Sequence, residues 1–229
     1  MDMKTLLLCD DHWHPGDVPI NGIVPLKAKG YSFDIIKDAG DFDPDMLNDY
    51  DTVMLCKCNH KSQSDNSPWL TDEIQESFIG YIHDGGGLLV IHNGTVFDET
   101  THALSRLVGC RFTFHPNNCP VTAAPIKPHP ITDGVGMFCE IDEHYRLEIL
   151  TDDIDVIIAS YSAGQGDESK YENEPYFNTS AWIGAAGFVR EHGKGRVCTL
   201  TQGHLQSVWL NSHFQKTLEN ALLWCGKKK

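Results

Sequence analysis

Gly85-Gly86-Gly87-Leu88-Leu89-Val90-Ile91-His92-Asn93-Gly94 contains a helix stop, a strand and a polar turn in immediate succession. The strand is apolar throughout instead of alternating, which is the pattern of a strand covered on both faces of a parallel sheet. It ends on a histidine followed by Asn-Gly. In open α/β sheets, ligands bind beyond the carboxyl ends of the strands. His92 is therefore a titratable side chain delivered to the most chemically useful edge of such a sheet.

The residues upstream repeat the same alternation of strand and helix. Thr71 can cap a helix whose first turn carries Asp72 and Glu73, and whose inward stripe is Ile74, Phe78 and Ile82. Further back, apolar strands are predicted at Lys4–Cys9, Phe33–Ile36 and Thr52–Cys56. A helix is expected over Pro19–Gly30, stopping at the glycine, and a short one over Pro44–Tyr50. The order β-α-β-α-β-α-β with short connections predicts a parallel sheet wrapped by helices on both faces.

Downstream the signal changes. Phe97–Val108 suits a helix ending at Gly109, and Cys110–Ile126 breaks into β-prone pieces at Pro116, Pro120 and Pro125. Further strands are expected over Tyr145–Leu150, Asp155–Ser160, Ala181–Ala186 and Arg196–Thr201. The Gly-rich, acidic stretch Ser162–Asn178 reads as an exposed loop or flap. A last helix, His213–Trp224, carries Phe214, Leu218, Ala221 and Leu222 on one face. No repeat or linker divides the chain, so one domain over residues 1–229 is expected.

Composition narrows the function. The chain has 229 residues, enough for one sizeable core, and is 41% hydrophobic and 22% charged, as in ordinary globular proteins. A formal net charge of -14 argues against binding nucleic acid or an anionic membrane. The opening apolar run is too short for a signal peptide and no run reaches membrane-spanning length, which points to the cytoplasm. Eight cysteines include no Cys-x-x-Cys pair, so reduced, mostly buried thiols are expected.

Four signatures remain: the glycine turn and strand ending at His92, His129-Pro130-Ile131-Thr132-Asp133-Gly134, Asp142-Glu143-His144-Tyr145, and Gly193-Lys194-Gly195-Arg196-Val197 running to Gly203-His204. In this order and spacing, over nearly the whole chain, they resemble the ThuA-like (trehalose-utilization) family of the class I glutamine amidotransferase-like superfamily. The resemblance implies a flavodoxin-like three-layer α/β sandwich with a largely parallel sheet. It also implies carbohydrate metabolism, with a small-molecule carbohydrate as partner.

True amidotransferases deliver a cysteine nucleophile at the elbow that His92 occupies here. No cysteine follows until Cys110, and Val90 stands where an elbow needs a small residue. Glutaminase chemistry is therefore not expected.

His92, Glu143 and His204 are the candidate catalytic residues. Two imidazoles and a carboxylate would suit a divalent cation with open coordination positions, zinc above all, with His92 and His204 as ligands. They would equally suit a metal-free acid/base site. His14, Asn93, His144 and Tyr145 are candidates for substrate contact, and Trp182 for stacking on a sugar. His129 is expected to shape a rigid turn. No nucleotide cofactor is indicated, and the oligomeric state stays open. A non-catalytic sugar-binding or regulatory module on the same fold is the alternative to an enzyme.

Overall fold

The computed structural model describes residues 3–162 and 182–227. A nine-stranded sheet runs through it in the order β2-β1-β3-β4-β11-β10-β9-β6-β7. Its first half comprises β1 (Lys4–Cys9), β2 (Ser32–Ile36), β3 (Thr52–Cys56), β4 (Gly87–Ile91) and β11 (Gly195–Leu200), all parallel. The other half is β10 (Trp182–His192), β9 (Asp155–Ser162), β6 (Cys119–Pro125) and β7 (Phe138–Asp142), all antiparallel. A separate ribbon pairs β5 (Cys110–Phe114) with β8 (Arg146–Ile149).

The two faces of the parallel strands are buried under different helices. Leu7, Cys9, Met54, Cys56, Leu89 and Ile91 pack with Trp209, Phe214, Leu218 and Leu222, from α5 (Gln206–Leu210) and α6 (Ser212–Cys225). Leu6, Leu8, Val53, Leu55, Leu88 and Val90 pack with Phe78, Ile82, Leu104 and Val108, from α3 (Asp72–Asp84) and α4 (His102–Val108). Successive strand residues point to opposite faces, so unbroken apolar runs fill both layers. The result is a three-layer α/β sandwich.

Several boundaries differ from the sequence expectation, each for a local reason. The sheet is mixed because β10 folds straight back on β11 through Gly193-Lys194, pairing His192 with Gly195. A hairpin of that kind enforces antiparallel pairing. β10 also extends past Ala186 to His192, through a register shift around Gly187. The helix expected over Pro19–Gly30 is two short ones, α1 (Asp17–Gly22) and α2 (Val24–Ala28), because Pro25 opens the second. Proline lacks the N–H that would continue the first helix and its ring clashes with the preceding turn. Pro44–Asp49 is a 3-10 helix.

The helix expected from Phe97 begins only at His102, since Asp98 takes the Thr100 N–H and hydroxyl into a turn. Of the cysteines, all of them free thiols, Cys139 is exposed on edge strand β7 and the other seven are buried. The stretch Ser162–Asn178 lies, beyond Ser162, outside the described residues. Among the described residues, no helix is long and apolar enough to cross a membrane.

Chain order places β2 and β3 on opposite sides of β1. Such a reversal opens a crevice at the carboxyl edge of a parallel sheet. The ends of β1, β3, β4 and β11 all meet there.

Candidate metal centre

Three loops at that edge each present a histidine, and the turn after β7 adds a carboxylate. One ligand atom from each of His14, His92, Glu143 and His204 lies within 4.8 Å of all the others. Glu143 is the hub. Its Oε2 is 3.2 Å from His92 Nε2, 3.2 Å from His204 Nδ1 and 3.9 Å from His14 Nε2. Its Oε1 faces a fourth imidazole, His115 Nε2, at 3.4 Å.

His92 is held at the end of β4 with φ 48°, a left-handed conformation uncommon for residues other than glycine. The turn is crowded. A Cβ on Gly94 would come within 2.3 Å of the Leu55 carbonyl oxygen. The imidazole is 1% exposed, and its Nδ1 lies 2.8 Å from the Thr201 carbonyl oxygen. A carbonyl only accepts, so Nδ1 carries the hydrogen and Nε2 turns its lone pair toward Glu143.

His14 is fixed in the same way. Asp11, fully buried after β1, accepts the His14 Nδ1–H at 3.1 Å together with the backbone N–H groups of Trp13 and His14. Its second oxygen takes the Cys58 N–H and the Asn93 amide. His204 follows Gly203, whose φ of 134° suits glycine alone. Buried Asp142 holds that turn by accepting the N–H groups of both Gly203 and His204.

The electrostatics are those of a site short of positive charge. Burial drives His92 down to about 4, against the pull of Glu143. Burial likewise lowers His204. For His14, burial is outweighed by Asp11 and Glu143, which hold it up at about 9. Glu143 is held well below the usual carboxylate range, because the imidazoles of His14, His92 and His204 gathered around it overcome its burial. Burial raises Asp142 to about 7, against the amides that donate to it.

At neutral pH the lone pair of His92 Nε2 thus faces a carboxylate oxygen, an arrangement of two acceptors. His204 Nδ1 is buried and, although close to Glu143, is not aligned for a hydrogen bond. An orphaned nitrogen and opposed lone pairs fit a cation at the centre. Donors fixed by buried partners are the usual outer support of a metal site. The group can hold a metal ion.

The remaining sequence candidates fall in different places. Tyr145 is 2% exposed; its ring stacks on His92 with centroids 3.9 Å apart, and its hydroxyl is 3.5 Å from His14 Nε2. Asn93 lines the adjoining cavity, but its amide nitrogen is spent on Asp11 and on the Cys56 carbonyl. His144 turns away and pairs with Ser160 and Ser162, buried at the back of Glu143. The side chain of Trp182 lies outside the described residues.

His129 caps the 3-10 turn Pro130–Thr132, and Asn220 of α6 clamps that turn through the carbonyls of Ile131 and Asp133. Its motif thus shapes a turn, as expected. Two members of the site carry weak sequence signals or none. His14 reads from sequence only as a pocket-lining residue, although an Asp three positions before a histidine in a turn can fix its tautomer. His115 follows a strand in the separate ribbon and has no signal.

A cavity of about 190 Å3 adjoins the cluster, lined among others by Trp13, His14, Val18, Asn93, His204 and Trp209. A wider depression over Pro128–Gly134 is distant from these groups in sequence and belongs to the clamped turn.

Comparison with known proteins agrees with this architecture. A ThuA-like protein from Parabacteroides merdae superposes with a TM-score of 0.72 at 17% identity, covering 100% of this chain and 91% of that one. A ThuA-like protein from Bacteroides uniformis gives 0.68 at 17% identity, covering 97% and 91%. A Thermoplasma acidophilum protein described as part of a GMP synthase gives 0.59 at 12% identity, covering 99% and 96%. At these identities the likeness is one of fold. No curated protein matches the sequence significantly. The family described as ThuA, trehalose utilisation, matches residues 13–225, and the chain belongs to that family.

Proposed function

We propose that this protein is an enzyme of carbohydrate metabolism that acts on a glycoside or its keto derivative. The observation that carries this reading is the convergence of His14, His92, His204 and Glu143, with the Nδ1 hydrogens of His14 and His92 committed to outer partners. Family membership supplies the substrate class. A divalent cation, zinc being the ion this donor set suits best, would be held by those four residues and would act as a Lewis acid toward a carbonyl oxygen.

The chain's own residues then divide the work. His92 and Tyr145 form a buried, stacked wall, so His92 would orient the site and leave proton transfer to other groups. Glu143 gathers the imidazoles on one oxygen and meets His115 with the other. The open groups beside the cavity, His14 and His204, are the ones positioned to meet a substrate. The reaction type that fits is proton abstraction next to a keto group, as in isomerisation or β-elimination, with Glu143 as the base that takes the proton.

The fold is proposed as class I glutamine amidotransferase-like, a kinship supported by the 2-1-3-4 strand order and by the Thermoplasma likeness. Glutaminase chemistry is not part of the reading. His92 occupies the elbow, and the thiol nearest the cavity, Cys56, is raised well above its ordinary value by burial.

The test is turnover of a keto-glycoside by the wild-type protein and by His92→Ala and His204→Ala. Loss in both variants supports the reading, and wild-type rates in both would sink it. Sugar binding without product, even with metal added, is the signature of the non-catalytic alternative.

A further inference from the structure

Trp13 is 66% exposed at the mouth of the cavity that also touches His14 and His204. Single exposed apolar side chains are ordinary and need no explanation by themselves. Three observations set this one apart.

Its backbone is pinned to the site. The Trp13 N–H donates to Asp11 Oδ1 at 2.9 Å, the same oxygen that accepts from His14 N–H and His14 Nδ1–H. A single buried carboxylate thus sets the indole and the cluster imidazole in one turn.

The cavity is also small. Pockets that enclose a drug-sized ligand run from roughly 300 to 1,000 Å3, against about 190 Å3 here. A cavity of that size suits about one sugar ring, and a second ring would extend toward the exposed indole that lines it.

Finally, the other aromatics around the site are buried, Trp209 at 1% exposed among them. Tyr145 is 2% exposed, with His92 stacked on its ring, and cannot receive a sugar.

We propose that Trp13 is the platform of an outer sugar subsite: the inner ring of a disaccharide enters the cavity against His14 and His204, and the outer ring stacks on the indole. The C–H groups of a pyranose face carry slight positive charge, which the negative face of an aromatic ring attracts while both lose water. This inference rests on the carbohydrate reading of the same site.

The experiment is calorimetric titration of the full-length, metal-loaded protein with two probes, trehalose and methyl α-D-glucoside, each also as its keto derivative. Wild type is expected to prefer the disaccharide. Trp13→Ala is expected to weaken the disaccharide by about three- to tenfold, to leave the methyl glycoside within about twofold, and to keep its full metal content. Trp13→Phe should restore most of the preference. Disaccharide affinity unchanged in Trp13→Ala, or both probes weakened equally, overturns the subsite alone. Failure of wild type to bind any probe overturns the carbohydrate reading, and the subsite with it.

Discussion

Asp11 takes the Nδ1 hydrogen of His14 across 3.1 Å and so fixes which nitrogen of that imidazole faces Glu143. The carboxylate is fully buried, and its backbone partners come from the turn after β1 and from Cys58 beyond β3. It joins the ends of two neighbouring strands to one ligand.

Replacing Asp11 by Asn therefore has a defined consequence. The amide can accept or donate, so the Nδ1–H of His14 is no longer held by a carboxylate and the buried charge is gone. Metal affinity is expected to fall about 10- to 100-fold, the usual effect of losing an outer-shell partner. Competition with a chromogenic chelator measures it, and a circular dichroism spectrum like that of wild type shows that the fold is kept.

His115 is the most open of the four imidazoles around Glu143, with 33% of its side chain exposed. Its Nδ1 donates to the Pro116 carbonyl, so its Nε2 faces Glu143 Oε1 on the side away from the cluster. In the proposed reaction it would relay protons through Glu143 and would not hold the ion. His115→Gln is expected to keep the full metal content while lowering keto-glycoside turnover by about 10²- to 10⁴-fold, the range for loss of an acid/base group. Elemental analysis and rate measurement on one preparation check both halves.

Gly22 packs directly on the indole of Trp209, where an added Cβ would lie 2.4 Å from a ring carbon. Trp209 in turn donates to the Gly203 carbonyl at 2.8 Å, in the turn that presents His204. Gly22→Ala should destabilise by about 1–3 kcal/mol through overpacking. A lower thermal midpoint, and a weaker metal affinity because the His204 turn shifts, are the observables.

His144 gives a pH dependence whose sign can be worked out. Burial lowers it to about 3, between Ser160 and Ser162. A depressed histidine contributes stability that is complete above its unfolded value of 6.5 and is lost as pH falls toward 3, because only the unfolded chain takes up the proton. The loss is at most about 1.4 kcal/mol per pH unit for one group. His144→Gln should flatten that slope in urea unfolding of metal-free protein between pH 6.5 and pH 5. Equal slopes in the two proteins would contradict it.

Sequence legibility follows the range of the interactions. Lys4–Cys9, Thr52–Cys56 and Leu88–Ile91 can be read because burial on both faces leaves an unbroken apolar run. His92 and His204 can be read because each ends or follows such a strand. In the antiparallel half the strands can be read but their pairing cannot, since partners such as Thr122 and Tyr161 join distant stretches with no local pattern. Glu143 is readable as a member of its motif, but its neighbour His144 faces the opposite way, a matter of side-chain direction along the chain. His115 reaches the site only because the ribbon of β5 and β8 brings Phe112 and His115 against Tyr145, which composition and spacing do not encode.

The central claim is that one cation belongs at the meeting point of His14, His92, His204 and Glu143. Elemental analysis of the protein purified without a histidine tag tests it most directly, alongside His92→Ala and His204→Ala. The account predicts about one equivalent of zinc or another divalent transition metal per chain, and its loss in both variants. No bound metal in the wild type, with none taken up from added zinc, would contradict it.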